Sequence, residues 1–169
     1  MKTLKKYLLI PILFCTVSVY GAQYYTLEKA LNKTADQIMS SAYISPQSTL
    51  AVVGFTESTS HLRFPISNVI EDDLSTYLIE RRPKQILAKN HLDTILKELK
   101  FTREDLFDTK HRKKFGKFAS VDFIVCGTYW VNSQHIIINI TVVDIEKGVA
   151  LYSNRLKLRK SQFASYLLG

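Results

Sequence analysis

The apolar pattern of this chain predicts an α/β (α+β) fold: a mixed sheet of about five strands with helices packed on it, ending in a three-strand antiparallel meander. Three observations lead there. Residues 50–55 (Leu-Ala-Val-Val-Gly-Phe) form a short, nearly continuous apolar run, which is how a strand covered on both faces reads. Amphipathic stretches separate that run from the next ones, and strand–helix–strand units imply parallel pairing with right-handed crossovers. Finally, three apolar-rich or alternating runs at 122–131, 135–145 and 149–158 are joined only by Asn132-Ser133-Gln134 and Glu146-Lys147-Gly148, loops short enough for hairpins.

Taken in order, residues 25–42 repeat Leu27, Ala30, Leu31, Ile38 and Ala42 at helical spacing, and the 43–48 segment with Pro46 breaks the helix. The strand at 50–55 follows, then a polar loop over 56–65. A second helix is expected over 67–81, with Ser67 as N-cap and an apolar stripe of Val69, Ile70, Leu74, Tyr77 and Leu78. Residues 85–88 read as a short strand. Asn90 is the expected cap of a third helix that buries Leu92, Ile95, Leu96 and Leu99. A Thr-x-x-Asp pattern opens at Thr102, and a fourth helix over 109–119 is expected to bury Phe115, Phe118 and Ala119. In the middle strand of the meander, Ile136, Ile138, Ile140 and Val142 share one face, leaving His135, Ile137, Asn139 and Thr141 on the more polar one.

The N-terminus carries an export signal. Lys2, Lys5 and Lys6 form a positive region before the mostly apolar run 7–20, which is shorter than the roughly 20 apolar residues of a spanning helix. Val19-Tyr20-Gly21 is an acceptable cleavage triplet, so a mature chain beginning near Ala22 is expected; an uncleaved anchor is the alternative. Cys15 offers a second alternative, a lipoprotein signal, although Phe14 stands where a small residue is expected. The organisation is therefore signal peptide 1–21, N-terminal helix 22–44, α/β domain 45–160 and tail 161–169. In that tail Phe163, Tyr166, Leu167 and Leu168 either cap the core or reach a partner. No internal repeat and no low-complexity segment interrupts it.

The 169 residues suffice for one domain with a core, burying roughly 70% of the unfolded surface without disulfide or metal. The formal charge is +8; without Lys2, Lys5 and Lys6, 20 basic residues face 15 acidic ones, a balance of +5. That excess suits an anionic envelope surface or an acidic partner, and an exported protein rarely meets nucleic acid. Cys126 is the one cysteine beyond the signal, so no internal disulfide framework exists, and inside an apolar strand its thiol behaves as a small hydrophobe.

Catalytic patterns are missing. His61, His91, His111 and His135 do not pair at metal-ligand spacing, no serine sits in a nucleophile elbow, and no glycine-rich phosphate loop occurs. No enzyme activity, metal or cofactor is expected. Glu71-Asp72-Asp73 is the densest acidic cluster, but neighbours on a helix diverge by about 100°, so it reads as a solvated face matched to the helix dipole. Two basic features remain. Lys110, Arg112, Lys113 and Lys114, with His111 among them and Lys117 after, form either the wet side of an amphipathic helix or an anionic docking surface. Arg155, Lys157 and Arg159 alternate with Leu156 and Leu158 and so line one face of the last strand. They either protect an edge from aggregation or contact an acidic partner.

Three segments together resemble a known group: the strand 50–55 with its following loop and helix; Gln85-Ile86-Leu87-Ala88-Lys89-Asn90-His91-Leu92 running into Ile95-Leu96-Lys97-Glu98; and 115–129, Phe-Gly-Lys-Phe-Ala-Ser-Val-Asp-Phe-Ile-Val-Cys-Gly-Thr-Tyr, with Val143-Asp144-Ile145-Glu146-Lys147-Gly148 downstream. These resemble the FlgO, CsgG and LpoB type of bacterial envelope domain, over about 45–158. Its motifs are structural: Gly127 admits a close neighbour to the central strand, and Gly148 takes a turn. The resemblance implies a non-enzymatic periplasmic or outer-membrane-associated accessory protein. The main expectation is support of a flagellar or outer-membrane assembly. The alternative is a docking activator of a penicillin-binding peptidoglycan synthase, and a small secreted hydrolase is the reading from another class. Asn90 stands where the group usually has arginine. The chain shows no pair of long amphipathic hairpins for a curli-type pore, and no long tether after the signal for an activator reaching through the wall.

Overall fold

The structure, a computed structural model, describes residues 26–81 and 83–163. The expected signal peptide with Cys15, and the tail residues Tyr166, Leu167 and Leu168, lie outside the described residues. Among those described, no helix is long and apolar enough to cross a membrane.

Helix α1 spans Leu27–Met39, with Thr26 as its N-cap accepting the Lys29 N–H. Strand β1, Thr49–Glu57, is buried along nearly its whole length. Helix α2 runs Pro65–Glu80, two residues ahead of the expected start, because Pro65 presets the first helical φ. Ser67 is therefore inside the helix rather than its cap, and its Oγ reaches back to accept the Phe64 N–H at 3.2 Å. Strand β2 shrinks to Gln85–Ile86, and helix α3 spans Lys89–Leu99 from an extended Ala88. Asn90 is thus also within its helix, where Oδ1 accepts the His91 N–H.

Thr102 and Asp105 bond reciprocally and start a 3-10 turn, Glu104–Phe107. Helix α4, Thr109–Ala119, is capped by Asp108, whose carboxylate accepts the Lys110 and His111 N–H groups. Strands β3 (Phe123–Val131), β4 (His135–Asp144) and β5 (Ala150–Arg159) form the expected meander, followed by a 3-10 turn at Lys160–Phe163.

The five strands lie in the order β2-β1-β3-β4-β5. β1 pairs parallel with both β2 and β3, while β3–β4 and β4–β5 are antiparallel. The alternation of strand side chains divides the core in two. On one face, α1 and α2 cover Leu50, Val52, Phe55, Val125, Tyr129 and the Ile136/Ile138/Ile140/Val142 row. Asn154 donates to Thr34 and, with Tyr152, to Gln37, which ties β5 to α1. On the other face, Leu92 and Leu96 of α3 and Phe115 of α4 cover Ala51, Val53, Ile124, Cys126 and Val143.

Two close approaches set this geometry. A Cβ on Gly127 would lie 2.0 Å from the Asn139 carbonyl oxygen and 2.8 Å from the Phe55 ring, so only glycine admits β4 this near to β3. A Cβ on Gly116 would lie 2.3 Å from Ile145, which is how closely α4 seats on the end of β4. Gly148, at φ +71, closes the β4–β5 turn with its N–H on the Asp144 carbonyl. Phe118 departs from expectation: it is 53% exposed, because α4 turns Arg112, Phe115 and Gly116 inward and has no room for a further large residue.

Candidate functional site

Helices α3 and α4 cover only part of their face of the sheet. Ile124, Cys126 and Val143 are buried beneath them, but beyond these residues no described helix covers the face. Strand pairing assembles this part row by row. Arg159 lies opposite His135, Lys157 opposite Ile137, and Arg155 opposite Asn139. Continuing across β4, Ile137 lies opposite Trp130 and Asn139 opposite Thr128. Arg155, Lys157 and Arg159 are exposed, Ile137 and Asn139 are half-buried, and Trp130 is 43% exposed. Asn139 is held toward the face by a 3.3 Å bond from its amide to Thr128 Oγ1.

The three cations of β5 therefore stand along the outer edge of a shallow surface whose middle is Ile137 and whose far side is Trp130. Aromatic and arginine side chains around an apolar centre are what protein interfaces favour, and the positive rim selects an acidic counterpart. The sequence reading did not single out Trp130, because its membership of the surface depends on the β3–β4 register.

The other basic feature divides. Lys110 and Lys114 are exposed on α4 and Lys113 is half-buried. Arg112, by contrast, is only 7% exposed, and its guanidinium donates to the Leu106 carbonyl at 3.3 Å and to Thr109 Oγ1 at 3.2 Å. Arg112 thus braces the 3-10 turn against α4 rather than joining a wet basic face, because it sits on the side of the helix opposite the lysines.

The acidic cluster also corrects its reading. Asp72 is solvated and pairs with Lys89, but Glu71 is only 2% exposed. It lies between Arg63, at 2.5 Å and 2.9 Å, and Arg103, at 3.1 Å. It also accepts the Phe55 N–H at 3.2 Å. Arg103 continues to Asp93 at 2.5 Å. Burial works to lower the Arg63 pKa, but the hydrogen bond and charge of Glu71 outweigh it and raise it. Every oxygen of Glu71 is engaged, so the network is a structural tie joining β1, the β1–α2 loop, α2 and the segment after α3. It is not a free acid.

Cys126 is buried, and desolvation pushes its thiol up to about 11, far from the range of a nucleophilic thiolate. Tyr129 is raised by burial, with its hydroxyl 3.2 Å from Ser67 Oγ. Among the described residues no three His, Cys, Asp or Glu side chains come together as a metal site.

This sheet order, with a meander leaving a face partly bare, can be compared with known proteins. The profile of the family described as peptidoglycan-synthase activator LpoB matches residues 26–158. The chain belongs to that family. Among solved structures, the LpoB C-terminal domain from Salmonella enterica is similar at a TM-score of 0.65 and 13% identity, covering 79% of this chain and 98% of that one. The LpoB C-terminal domain from Escherichia coli gives a TM-score of 0.63 at 12% identity, covering 79% and 98%. Lipoprotein GNA1162 from Neisseria meningitidis gives 0.56 at 14% identity, covering 66% of this chain and 80% of that one. At such identities these three likenesses show the fold. Comparison with curated protein sequences gives no match. The LpoB match narrows the three-way resemblance read from the sequence: the FlgO and CsgG types, and with them a flagellar assembly as partner, find no support in the comparisons. The family's described role is activation of an enzyme, in keeping with a non-enzymatic accessory protein.

Proposed function

We propose that this protein is a periplasmic docking activator of a penicillin-binding peptidoglycan synthase, exported by its first 21 residues and associated with the outer membrane. The observation that carries the reading is the family match over residues 26–158, which spans both cores and runs through the sheet to the penultimate residue of β5. The partly covered face of β3–β5 is the proposed contact: Arg155, Lys157 and Arg159 meet acidic groups on the synthase, while Ile137 in the middle and Trp130 on the far side supply the apolar contact. Binding there shifts the synthase toward an active arrangement, and no bond is made or broken by this chain.

The test is glycan polymerisation by the purified synthase with and without the protein. A rate increase that the triple variant R155E/K157E/R159E no longer produces, while its unfolding midpoint is unchanged, is the expected result. A synthase that neither binds the intact protein nor changes its rate sinks the reading. The mass of the N-terminus of protein recovered from the envelope distinguishes cleavage before Ala22 from lipid attachment at Cys15.

A further inference from the structure

The cationic face of α4 is separate from the proposed synthase contact and calls for a different occupant. At about 100° per residue, Lys110, Lys113, Lys114, Lys117 and Phe118 fall within an arc of about 140° on the helix. Arg112, Phe115, Gly116 and Ala119 fill the opposite arc and face the protein. Four lysines in eight residues thus point outward beside an aromatic ring that is 53% exposed. Among the described residues, Lys110, Lys113 and Lys117 enter no ion pair within 4.0 Å, and Lys114 rests over the Phe101 ring at 5.4 Å. Asp122, Asp144 and Glu146 line the same groove as Lys113 and Lys117, but among the described residues none of the four lysines is held in a close ion pair, so the face keeps an excess of positive charge.

The kind of cation selects the partner. Protein interfaces enrich arginine, whose planar fork grips a fixed carboxylate, and deplete lysine. On α4 the single arginine is turned inward, and the outward cations of the face are all lysines: compact charges on flexible stems. That arrangement suits a diffuse layer of negative charge with no fixed positions to match. An exposed ring beside the lysines adds an apolar tip able to enter the boundary between headgroups and acyl chains. The strand face carries the reverse composition, two arginines and one lysine around an apolar centre.

We infer that the Lys110–Lys113–Lys114–Lys117 face of α4, with Phe118 at its margin, binds the anionic phospholipid surface of the membrane that the exported protein faces. The lysines lie near the end of β4 marked by Ile145, where Gly116 seats the helix, whereas Arg155, Lys157 and Arg159 pair with the beginning of that strand. The two surfaces thus sit at opposite ends of the strands, and the lipid contact leaves the sheet face available.

The test uses the chain from residue 22 onward, which contains every residue of both cores and lacks the apolar run 7–20 that would enter bilayers by itself. It is sedimented with vesicles of phosphatidylethanolamine and phosphatidylglycerol, and with vesicles of phosphatidylcholine alone. The expected result is salt-sensitive binding to the first and none to the second. Each Lys→Gln exchange weakens partition about fivefold, so K110Q/K114Q weakens it about 25-fold. F118S weakens binding too, and R155Q/K157Q/R159Q leaves it unchanged. All these residues are at the surface, and an unchanged thermal midpoint shows that each variant folds. Equal binding to both vesicle types, or none to either, overturns the inference. So does loss of binding only in the Arg155 variant. If the lysine variants lose an acidic protein partner while vesicle binding of the intact chain is absent, the face belongs to a protein and the lipid assignment fails.

Discussion

The Glu71 carboxylate accepts the backbone N–H of Phe55 at 3.2 Å, at the point where β1 loses its regular pairing with β3. The slip lies between Val52 and Phe55, and Gly54 takes φ +72 within it. A bulge of this kind disrupts the ladder locally, and a buried N–H there needs an acceptor. Glu71 supplies one, and Arg63 and Arg103 make its buried charge tolerable. The same carboxylate thereby connects the bulge to the loop carrying Arg63 and to the segment after α3.

Replacing Glu71 with glutamine removes the charge that both guanidiniums share. Breaking a buried pair from one side is expected to cost about 3 kcal/mol, near the lower end of the usual range because Arg63 and Arg103 keep some access to water. Urea unfolding measures it. Asp72→Asn, one residue away but solvated, is expected to change stability by less than about 1 kcal/mol. Equal effects at the two positions would refute the role given to Glu71.

Much of the sheet was legible and much of the polar interior was not, for one reason. Alternation and run length report burial of apolar side chains, so β1 and the meander strands stood out from Leu50, Val52, Ile136, Ile138 and Ile140. A buried charge leaves no such trace: Glu71 looked like its neighbours Asp72 and Asp73, and its partners lie 8 and 32 residues away in the chain. Arg112 was hidden within a run of lysines for the same reason. Asn90 and Ser67 misled because both are good caps, whereas the extended residues Ala88 and Phe64 occupy the cap positions without a side-chain bond. The Arg155/Lys157/Arg159 row was visible as a period of two; that it belongs with Trp130 needed the register.

Gly127 tests the closeness of β3 and β4. Alanine there places its Cβ 2.0 Å from the Asn139 carbonyl oxygen, which is backbone and cannot step aside as a side chain would. Gly127→Ala is expected to cost about 3 kcal/mol, at the upper end for overpacking, seen as a lower urea midpoint. A variant as stable as the parent would mean that the strands can separate without penalty.

Cys126 offers a readout of global opening. With its thiol pushed up to about 11 and its side chain buried, it should not react with thiol reagents at neutral pH in the folded state. Labelling should begin only as the protein unfolds, with a midpoint in urea matching that from circular dichroism. Rapid labelling of the native protein would place the strand nearer to solvent than the structure does.

Acid should destabilise the fold through a few identifiable carboxylates. The Asp108 pKa is lowered by the His111 and Lys110 N–H groups, Asp36 by Arg81, Asp105 by the Thr102 N–H and Glu57 by the Ser60 N–H. A folded-state pKa below the unfolded value means stability that is present above the unfolded value of 3.8, or 4.5 for Glu57, and is lost as pH falls through the folded one. Asp73 works the other way: burial, Glu28 and Asp72 raise it, so its contribution is present at low pH and lost as pH rises. With four groups against one, the thermal midpoint should fall below about pH 5. Asp108→Asn keeps a capping oxygen without the titration, so its acid-induced loss should be smaller than the parent's. Identical pH profiles would remove Asp108 from the account.

The strand cations should act through charge rather than through support of the fold. Arg155, Lys157 and Arg159 are exposed on the outermost strand and take part in no apolar cluster, so their exchange for glutamine should move the unfolding midpoint by less than about 0.5 kcal/mol in free energy. Their loss should instead slow association with an acidic synthase surface, and the association rate of the intact protein should fall steeply with salt. Trp130→Ala should behave differently: it removes apolar contact from the side of the surface away from the cations, so dissociation should speed up with little change in salt dependence. Association and dissociation rates measured at two ionic strengths separate these effects. If glutamine exchange of the three cations left the association rate and its salt dependence intact, the row would be an edge guard against aggregation, and the contact would have to lie elsewhere on the domain.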